Sequence, residues 1–195
     1  MKTMKRLSAI LMAAIMLIAM AFPAMAAETG SIKITANGNS TDLSEKKFVL
    51  HRVLNATVDG DAVSYTVNED YRSALETAIK TVENNGDYDF SDRDAIYNYI
   101  AALISGEGES SEQKAEKESK LRLFADALKG EVEGNAAGVE YSLNDGNARI
   151  EGESVIISGL DYGYYAVVES TELGSDDEGA ISLTMLNSVT PNSEI

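Results

Sequence analysis

The chain of 195 residues carries 16 Lys and Arg against 32 Asp and Glu, with one His, no Cys and 44% hydrophobic residues. The negative charge argues against nucleic acid and anionic membrane surfaces as partners. The absence of cysteine excludes disulfides and metal clusters with His/Cys spacing, while the apolar fraction is sufficient for a folded core.

The first 26 residues have the pattern of a secretory signal peptide. Three cations lie at its start: Lys2, Lys5 and Arg6. An apolar run follows from Ala9 to Phe22, and Ala-Met-Ala at 24–26 predicts cleavage between Ala26 and Ala27. The alternative is a membrane anchor, for which the run is short against the roughly 20 residues of a span. Taking those three cations from the 16 leaves 13 against 32 acidic residues, a mature net charge of −19. We therefore expect a secreted protein without a stable membrane span after cleavage.

The mature chain begins with three predicted strands. Gly30–Gly38 alternates apolar and polar residues with the period of a half-buried strand, and Lys46–Val58 is a second, longer candidate. Asp59-Gly60 is a hairpin turn signal that leads into a third strand. We expect the three strands to be antiparallel neighbours.

The period then becomes helical over about residues 69–130. Asn68 is placed to cap a first helix, which Asn84-Asn85-Gly86 ends. Ser91 with Asp94 resembles the capping box of a second helix. A third helix is predicted from about Ser111 to Lys129, with a charged first half that we expect to be solvent-facing or frayed.

Strand patterns resume after the helices. The segments are GVEYSL, NARIEGESVIISGL, GYYAVVES and GAISLTMLNSV. About seven strands around a helical insertion predict a mainly β fold, an immunoglobulin-like β-sandwich that forms one domain over residues 27–195. The alternative is two domains divided near Gly130, which we favour less because each β half is too small to close a sandwich.

One segment resembles a known motif. Gly163–Glu169, GYYAVVE, fits G-x-Y-x-Φ-x-E, where Φ is apolar. It resembles the penultimate-strand motif of the collagen-adhesin B-type (CnaB-like) domains of Gram-positive surface proteins. The order of the mature chain is also similar to the N-terminal domain of Gram-positive major pilins. The matching segments are TGSI at 29–32, KKFVLHRVLNA at 46–56, the helical stretch, GYY at 163–165 and TPN at 190–192.

The resemblance implies a CnaB/pilin-type sandwich at the cell surface, associated with the cell wall, with a structural and adhesive role. Its implied partners are other pilin subunits and a sortase, if a longer chain exists, and host or neighbouring-cell surface ligands. Such pilins normally have a pilin-motif lysine and an LPxTG-like sorting signal, and these 195 residues contain neither. We therefore expect either a part of a longer pilin or a diverged secreted relative.

The resemblance also implies a chemical role for Glu169. In CnaB-like domains this glutamate catalyses an isopeptide bond between a first-strand lysine and an Asn or Asp on the last strand. Carried over to this chain, the set is Lys33, Glu169 and Asn187. The alternative is an ordinary structural role for each residue, since Lys33 alternates with Ile32 and Ile34 and should point away from the core.

Other candidate sites are few. Asp87, Asp89 and Asp92 could bind calcium through oxygen ligands, although helix capping explains these residues better. His51 is expected to be a partly buried strand residue, and no nucleophile motif such as G-x-S-x-G accompanies it. We expect no cofactor and no enzymatic activity. The alternative function is a secreted soluble module that binds a ligand or a carbohydrate.

Overall fold

The structure is a computed structural model that describes residues 29–35, 43, 46–59, 62–105, 110–143, 146–170 and 180–195. The predicted signal peptide and its cleavage site at Ala26 and Ala27 lie outside these ranges. The described residues are mainly β. The strands are β1 Thr29–Thr35, β2 Phe48–Asp59, β3 Ala62–Val67, β4 Val139–Tyr141, β5 Ala148–Glu151, β6 Ser154–Asp161, β7 Gly163–Glu169, β8 Ile181–Leu186 and β9 Asn192–Glu194. The α-helices are α1 Arg72–Glu83, α2 Ala95–Ile104 and α3 Ser111–Val132, and a 3₁₀ turn at Glu69–Tyr71 leads into α1.

The strands form two sheets. Sheet I has the order β5-β6-β1-β9, and sheet II has the order β3-β2-β7-β8, with β4 also pairing with β2. Strands from before and after the helices are neighbours in both sheets, because β1 pairs with β6 and β2 pairs with β7. The prediction of three neighbouring early strands is correct for β2 and β3, which form a hairpin, and wrong for β1. The connection between β2 and β3 is two residues long, whereas the one between β1 and β2 is twelve, so β1 is able to enter the other sheet.

Sheet II has an apolar core on each face. The inter-sheet core lies between the two sheets and includes Ile32, Phe48, Ile157, Val167 and Leu186. The helix-side core lies between sheet II and the three helices and includes Leu75, Ile100, Phe124, Leu128 and Ala166. Strand β7 supplies alternate side chains to both cores. This explains why six of its seven residues are buried, and why the five that follow its first glycine are apolar or aromatic.

The first helical segment begins and ends as its sequence predicts, whereas the start of the second differs from its prediction. The Asn68 side chain accepts a hydrogen bond from the Asp70 amide, and α1 ends at Asn84 in the left-handed conformation. The predicted capping box of Ser91 and Asp94 is wrong, because Asp94 makes no side-chain cap and its amide donates to Asp92 Oδ1 instead.

Helix α3 is longer and more regular than its sequence predicts. A capping box between Ser110 and Gln113 fixes its first turn, so the charged half is helical from Ser111 onwards. Its buried residues, Phe124, Leu128 and Val132, all lie in the second half. Capping therefore orders a first half that packing leaves largely exposed to solvent.

Candidate functional site

Glu169, the last residue of β7, is ion-paired with Lys46. The Lys46 ammonium donates to the Glu169 carboxylate, and the two side chains are 19% and 20% exposed. Glu169 lies opposite Phe48 in the ladder between β2 and β7. The pair therefore closes one end of the inter-sheet core. Lys46 is two residues before the inward-facing Phe48, and this spacing is the sequence signal that identifies it as a partner.

Asn187 follows β8, is buried and stabilises the turn that leads to β9. Its side-chain amide donates to the Tyr65 hydroxyl at 2.9 Å. Its Oδ1 accepts from the backbone amides of Val189 at 2.9 Å and Thr190 at 2.7 Å. These contacts connect β3, β8 and the turn before β9, and they use the acceptor capacity of the side-chain carbonyl.

Lys33 lies on the outer face of sheet I. Its neighbours Ile32 and Ile34 are buried, whereas its own ammonium donates to Glu194 Oε1 on β9 at 2.8 Å. The side chain is exposed to solvent, as the alternation along β1 predicts.

The three residues of the suggested isopeptide set therefore lie on three different surfaces. Glu169 shares the inter-sheet face of sheet II with Val167, and Asn187 lines a cavity on the helix side with Met185. Each of the three has a different hydrogen-bonding partner, namely Glu194 for Lys33, Lys46 for Glu169 and Tyr65 for Asn187. The isopeptide bond stays a prediction, and the described contacts do not bring its members together.

The acidic stretch before α2 is a series of turns. Asp89 Oδ1 accepts a hydrogen bond from the Ser91 amide at 2.8 Å. Hydrogen bonding from the Ser91 backbone and side chain lowers the pKa of Asp89. Asp92 Oδ1 accepts from the Asp94 amide at 2.9 Å, and the Asp87 amide donates to Asn85. Across the described residues, Asp87, Asp89 and Asp92 included, no group of three acidic, His or Cys side chains is arranged to hold a metal ion.

His51 is buried on the helix side of β2. Its Nδ1 is 3.2 Å from the Tyr71 hydroxyl, and the two rings meet edge to face. A Cβ at Gly138 would clash with the His51 ring, so this glycine allows the backbone to pass over the imidazole. Burial lowers the pKa of His51 and raises the pKa of Tyr71 to about 12. The contacts indicate a neutral packing residue.

Strands β1 and β9 run parallel and are joined by backbone hydrogen bonds. The Ser31 amide donates to Pro191 O, the Ile195 amide donates to Lys33 O, and the Thr35 amide donates to Ile195 O, each at 2.9 Å. A Cβ at Gly30 would clash with the Pro191 carbonyl oxygen, so glycine at this position permits the close approach.

Side chains add a second layer to this β1–β9 pair. Ser31 Oγ donates to Asn192 Oδ1 at 2.7 Å, and Thr35 Oγ1 donates to Glu194 Oε1 at 3.1 Å. The hydrogen bond from Lys33, together with that from Thr35, lowers the pKa of Glu194. Sequence analysis did not predict β9, because a strand of three residues has too few positions to show a period.

A tyrosine fixes the turn between β6 and β7. The Tyr165 hydroxyl donates to the backbone carbonyl of Asp161 at 2.6 Å, and Arg52 Nη1 donates to the Asp161 carboxylate at 2.7 Å. Burial raises the pKa of Tyr165 to about 12. The tyrosine thereby connects the inter-sheet core to the corner where the chain passes from sheet I to sheet II.

Comparisons with known proteins give distant matches only at the level of structure. No protein-family model matches the chain, and no curated protein matches it. It is similar to the pilus backbone protein RrgB of Streptococcus pneumoniae at 14% identity and a TM-score of 0.24, over 80% of this chain and 34% of that one. A structure of full-length major pilin RrgB from the same organism gives 14% identity and a TM-score of 0.23, over 85% and 30%.

The chain spans about a third of the length of these pilus proteins. Similarity at these scores is too low to support an argument about function. Within the described residues, no helix has the length and apolar character needed to cross a membrane.

Proposed function

We propose that residues 27–195 form one structural and adhesive domain of a Gram-positive cell surface, similar to the N-terminal domain of a fimbrial pilin subunit. The domain is exported by a signal peptide cleaved between Ala26 and Ala27, and it has no enzymatic activity. Its partners are neighbouring subunits and cell-surface ligands, and a sortase if the chain is longer than these 195 residues.

The strand order supports a CnaB/pilin-type, immunoglobulin-like sandwich. In a constant-type immunoglobulin sandwich one sheet has the order A-B-E-D and the other contains C-F-G. Here β9-β1-β6-β5 matches the first order, with the last strand in the place of A, and β2-β7-β8 matches the second. The hydrogen bond from Tyr165 to the Asp161 carbonyl matches the tyrosine corner of such sandwiches.

The β1–β9 pair is the observation that carries the structural role. The two strands are parallel, so a force that pulls the start of β1 away from the end of β9 acts along both strands in opposite directions. The hydrogen bonds between them are then loaded together in shear and must break together. This geometry suits a subunit under tension in a surface fibre, and here it arises without a disulfide.

Sheet II adds resistance, because its central strand β7 takes part in two cores. Sliding β7 would expose Val167 on one face and Ala166 on the other at the same time. Each buried apolar side chain contributes about 1–3 kcal/mol, so the two layers of packing oppose the same motion. Such a domain transmits force through packing and hydrogen bonds alone.

The proposal is tested by locating the protein in the cells that express it. Antibodies raised against the mature chain are used on cell-wall, membrane and culture-medium fractions, and by immunogold electron microscopy on whole cells. We expect label on the cell surface and along fibres, and wall-fraction species that survive boiling in SDS if subunits are covalently joined. Recovery of the protein solely as a monomer in the medium would contradict the proposal and favour the secreted binding module.

A further inference from the structure

A cavity of about 290 Å³ lies between α2 and the helix side of sheet II. Leu54, Ile100 and Met185 form much of its apolar lining. Tyr65 and Tyr97 form an aromatic wall, with ring centroids 6.0 Å apart and ring planes at 15°. The site thus combines an apolar floor with a pair of stacked tyrosine rings, and aromatic and apolar side chains are the usual lining of a small-molecule pocket.

One lining residue of the cavity, Tyr164, has a hydroxyl without a hydrogen-bond partner in the described parts of the chain. The residue is 4% exposed. In the described parts of the chain, Ser188 Oγ is the side-chain polar atom that is both fully enclosed and without a hydrogen-bond partner. The Tyr164 hydroxyl also lacks a partner but is not fully enclosed, so part of its surface is accessible. Buried hydroxyls normally have a hydrogen-bond partner, and an unpartnered one on a residue that lines a cavity is available to a ligand atom.

Hydrogen bonds hold several lining residues of the cavity in place. The Asn187 side chain donates to the Tyr65 hydroxyl, and its own carbonyl is fixed by two backbone amides. Two further lining residues follow each other at the end of α2: Ile104 is an exposed large hydrophobic residue, and the Ser105 carbonyl accepts a hydrogen bond from Lys117 at 2.8 Å. The aromatic wall is therefore preorganised, so binding requires little ordering of the site.

We propose that this cavity binds a small, flat aromatic molecule of about two fused rings that carries one hydroxyl group, which hydrogen-bonds to Tyr164. An apolar cavity of about 150 Å³ holds one benzene ring, and this cavity has about twice that volume. The tyrosine wall favours an aromatic ring by stacking. A sugar is a poor ligand here, because its many hydroxyls would remain without partners in an apolar site.

This inference does not depend on the role of the domain at the cell surface, and either proposal can fail alone. Its test is a titration of the mature chain with 2-naphthol, followed by fluorescence, with naphthalene as the probe that lacks a hydroxyl. Tyr164→Phe removes the hydroxyl and keeps the ring. Tyr88→Phe is the matched control, because Tyr88 packs against Phe90 and Tyr99 away from the cavity lining. Ala101→Trp places a large side chain at the cavity wall.

We expect saturable binding of 2-naphthol that Tyr164→Phe weakens by about 3- to 10-fold, the loss of one hydrogen bond. Naphthalene binding should be unchanged in Tyr164→Phe, and Tyr88→Phe should bind both probes as the parent chain does. Ala101→Trp should abolish binding of both. Thermal unfolding shows which variants fold, and if Ala101→Trp does not, NMR shift changes of cavity residues in the parent chain give the location.

Three results would overturn the inference. One is the absence of saturable 2-naphthol binding, which would mean that water alone contacts the Tyr164 hydroxyl. Another is an equal response of Tyr164→Phe and Tyr88→Phe. The third is NMR evidence that 2-naphthol contacts residues outside the cavity.

Discussion

The ammonium of Lys46 and the carboxylate of Glu169 are paired at the end of the inter-sheet core, where both side chains are mostly shielded from water. We predict that Glu169→Gln lowers the free energy of unfolding by about 1–3 kcal/mol. This range lies between the small values of surface pairs and the 3–5 kcal/mol of fully buried ones. Chemical denaturation measures it, and Lys46→Met with the double variant completes the cycle.

Glu151→Gln is the matched control for this pair, because Glu151 pairs with Arg149 on the exposed edge strand β5. Its unfolding midpoint should change little. If Glu151→Gln lowered the free energy of unfolding as much as Glu169→Gln, the Lys46–Glu169 pair would contribute no more to stability than an exposed pair.

The β1–β9 pair predicts a direction-dependent resistance to force. The chain has no cysteine, so two introduced cysteines give unique attachment points. Thr29→Cys with Ile195→Cys loads the parallel strands in shear, whereas Thr35→Cys with Ile195→Cys pulls on residues at the same end of the pair. We expect a clearly higher unfolding force in the first geometry in single-molecule pulling experiments. Equal forces in the two geometries would remove the mechanical argument for a fibre subunit.

Removal of the Tyr165 hydroxyl should measurably lower the free energy of unfolding. Tyr165→Phe removes the hydrogen bond to the Asp161 carbonyl and should cost about 1 kcal/mol of the free energy of unfolding. Tyr162→Phe is the control, since Tyr162 is partly exposed three residues away and its hydroxyl makes no hydrogen bond within the described residues. Urea denaturation of both variants distinguishes the corner from a general effect of losing a hydroxyl.

Because His51 is buried, we predict that the free energy of unfolding is lower in mildly acidic solution than at neutral pH. Burial lowers its pKa below the ordinary value of 6.5, so near and below that pH the unfolded chain binds more protons than the folded one. The free energy of unfolding should therefore fall as the pH decreases from 7 to 5.5, above the range in which carboxylates titrate. His51 is the one histidine of the chain, so His51→Gln should flatten this part of the profile. An unchanged slope in His51→Gln would assign the effect to other groups.

The mass of the mature protein shows whether an isopeptide bond joins Lys33 to Asn187. Because each side chain has a different partner, we expect the intact mass to equal that of the sequence from Ala27 onwards. An isopeptide bond between Lys33 and Asn187 would lower the mass by one ammonia. Intact-mass spectrometry decides between these results, and fragmentation of a lighter species would identify the joined residues.

Local patterns in the sequence determined most of the elements of this fold. Period-two alternation identified β1, the apolar run identified β7, and helical spacing with caps at Asn68 and Asn84 identified the segment formed by the 3₁₀ turn and α1. These signals are local, because side-chain period and capping depend on residues a few positions apart. The same local reasoning assigned the aspartates before α2 to helix capping, whereas Asp89 and Asp92 accept turn hydrogen bonds from the Ser91 and Asp94 amides.

Only the tertiary structure decided which residues meet. Residue parity places Glu169 on the face of Val167 and Asn187 on the face of Met185, but sheet II has two inward faces, and the sequence does not say which core each residue enters. The partners Lys46 and Tyr65 lie more than 120 residues away along the chain from Glu169 and Asn187, respectively. Strand order and the pairing of sheets depend on burying apolar faces that are remote in sequence, and no local pattern carries that information. The parallel contact of β1 with β9 and the cavity at Tyr164 arise at this level.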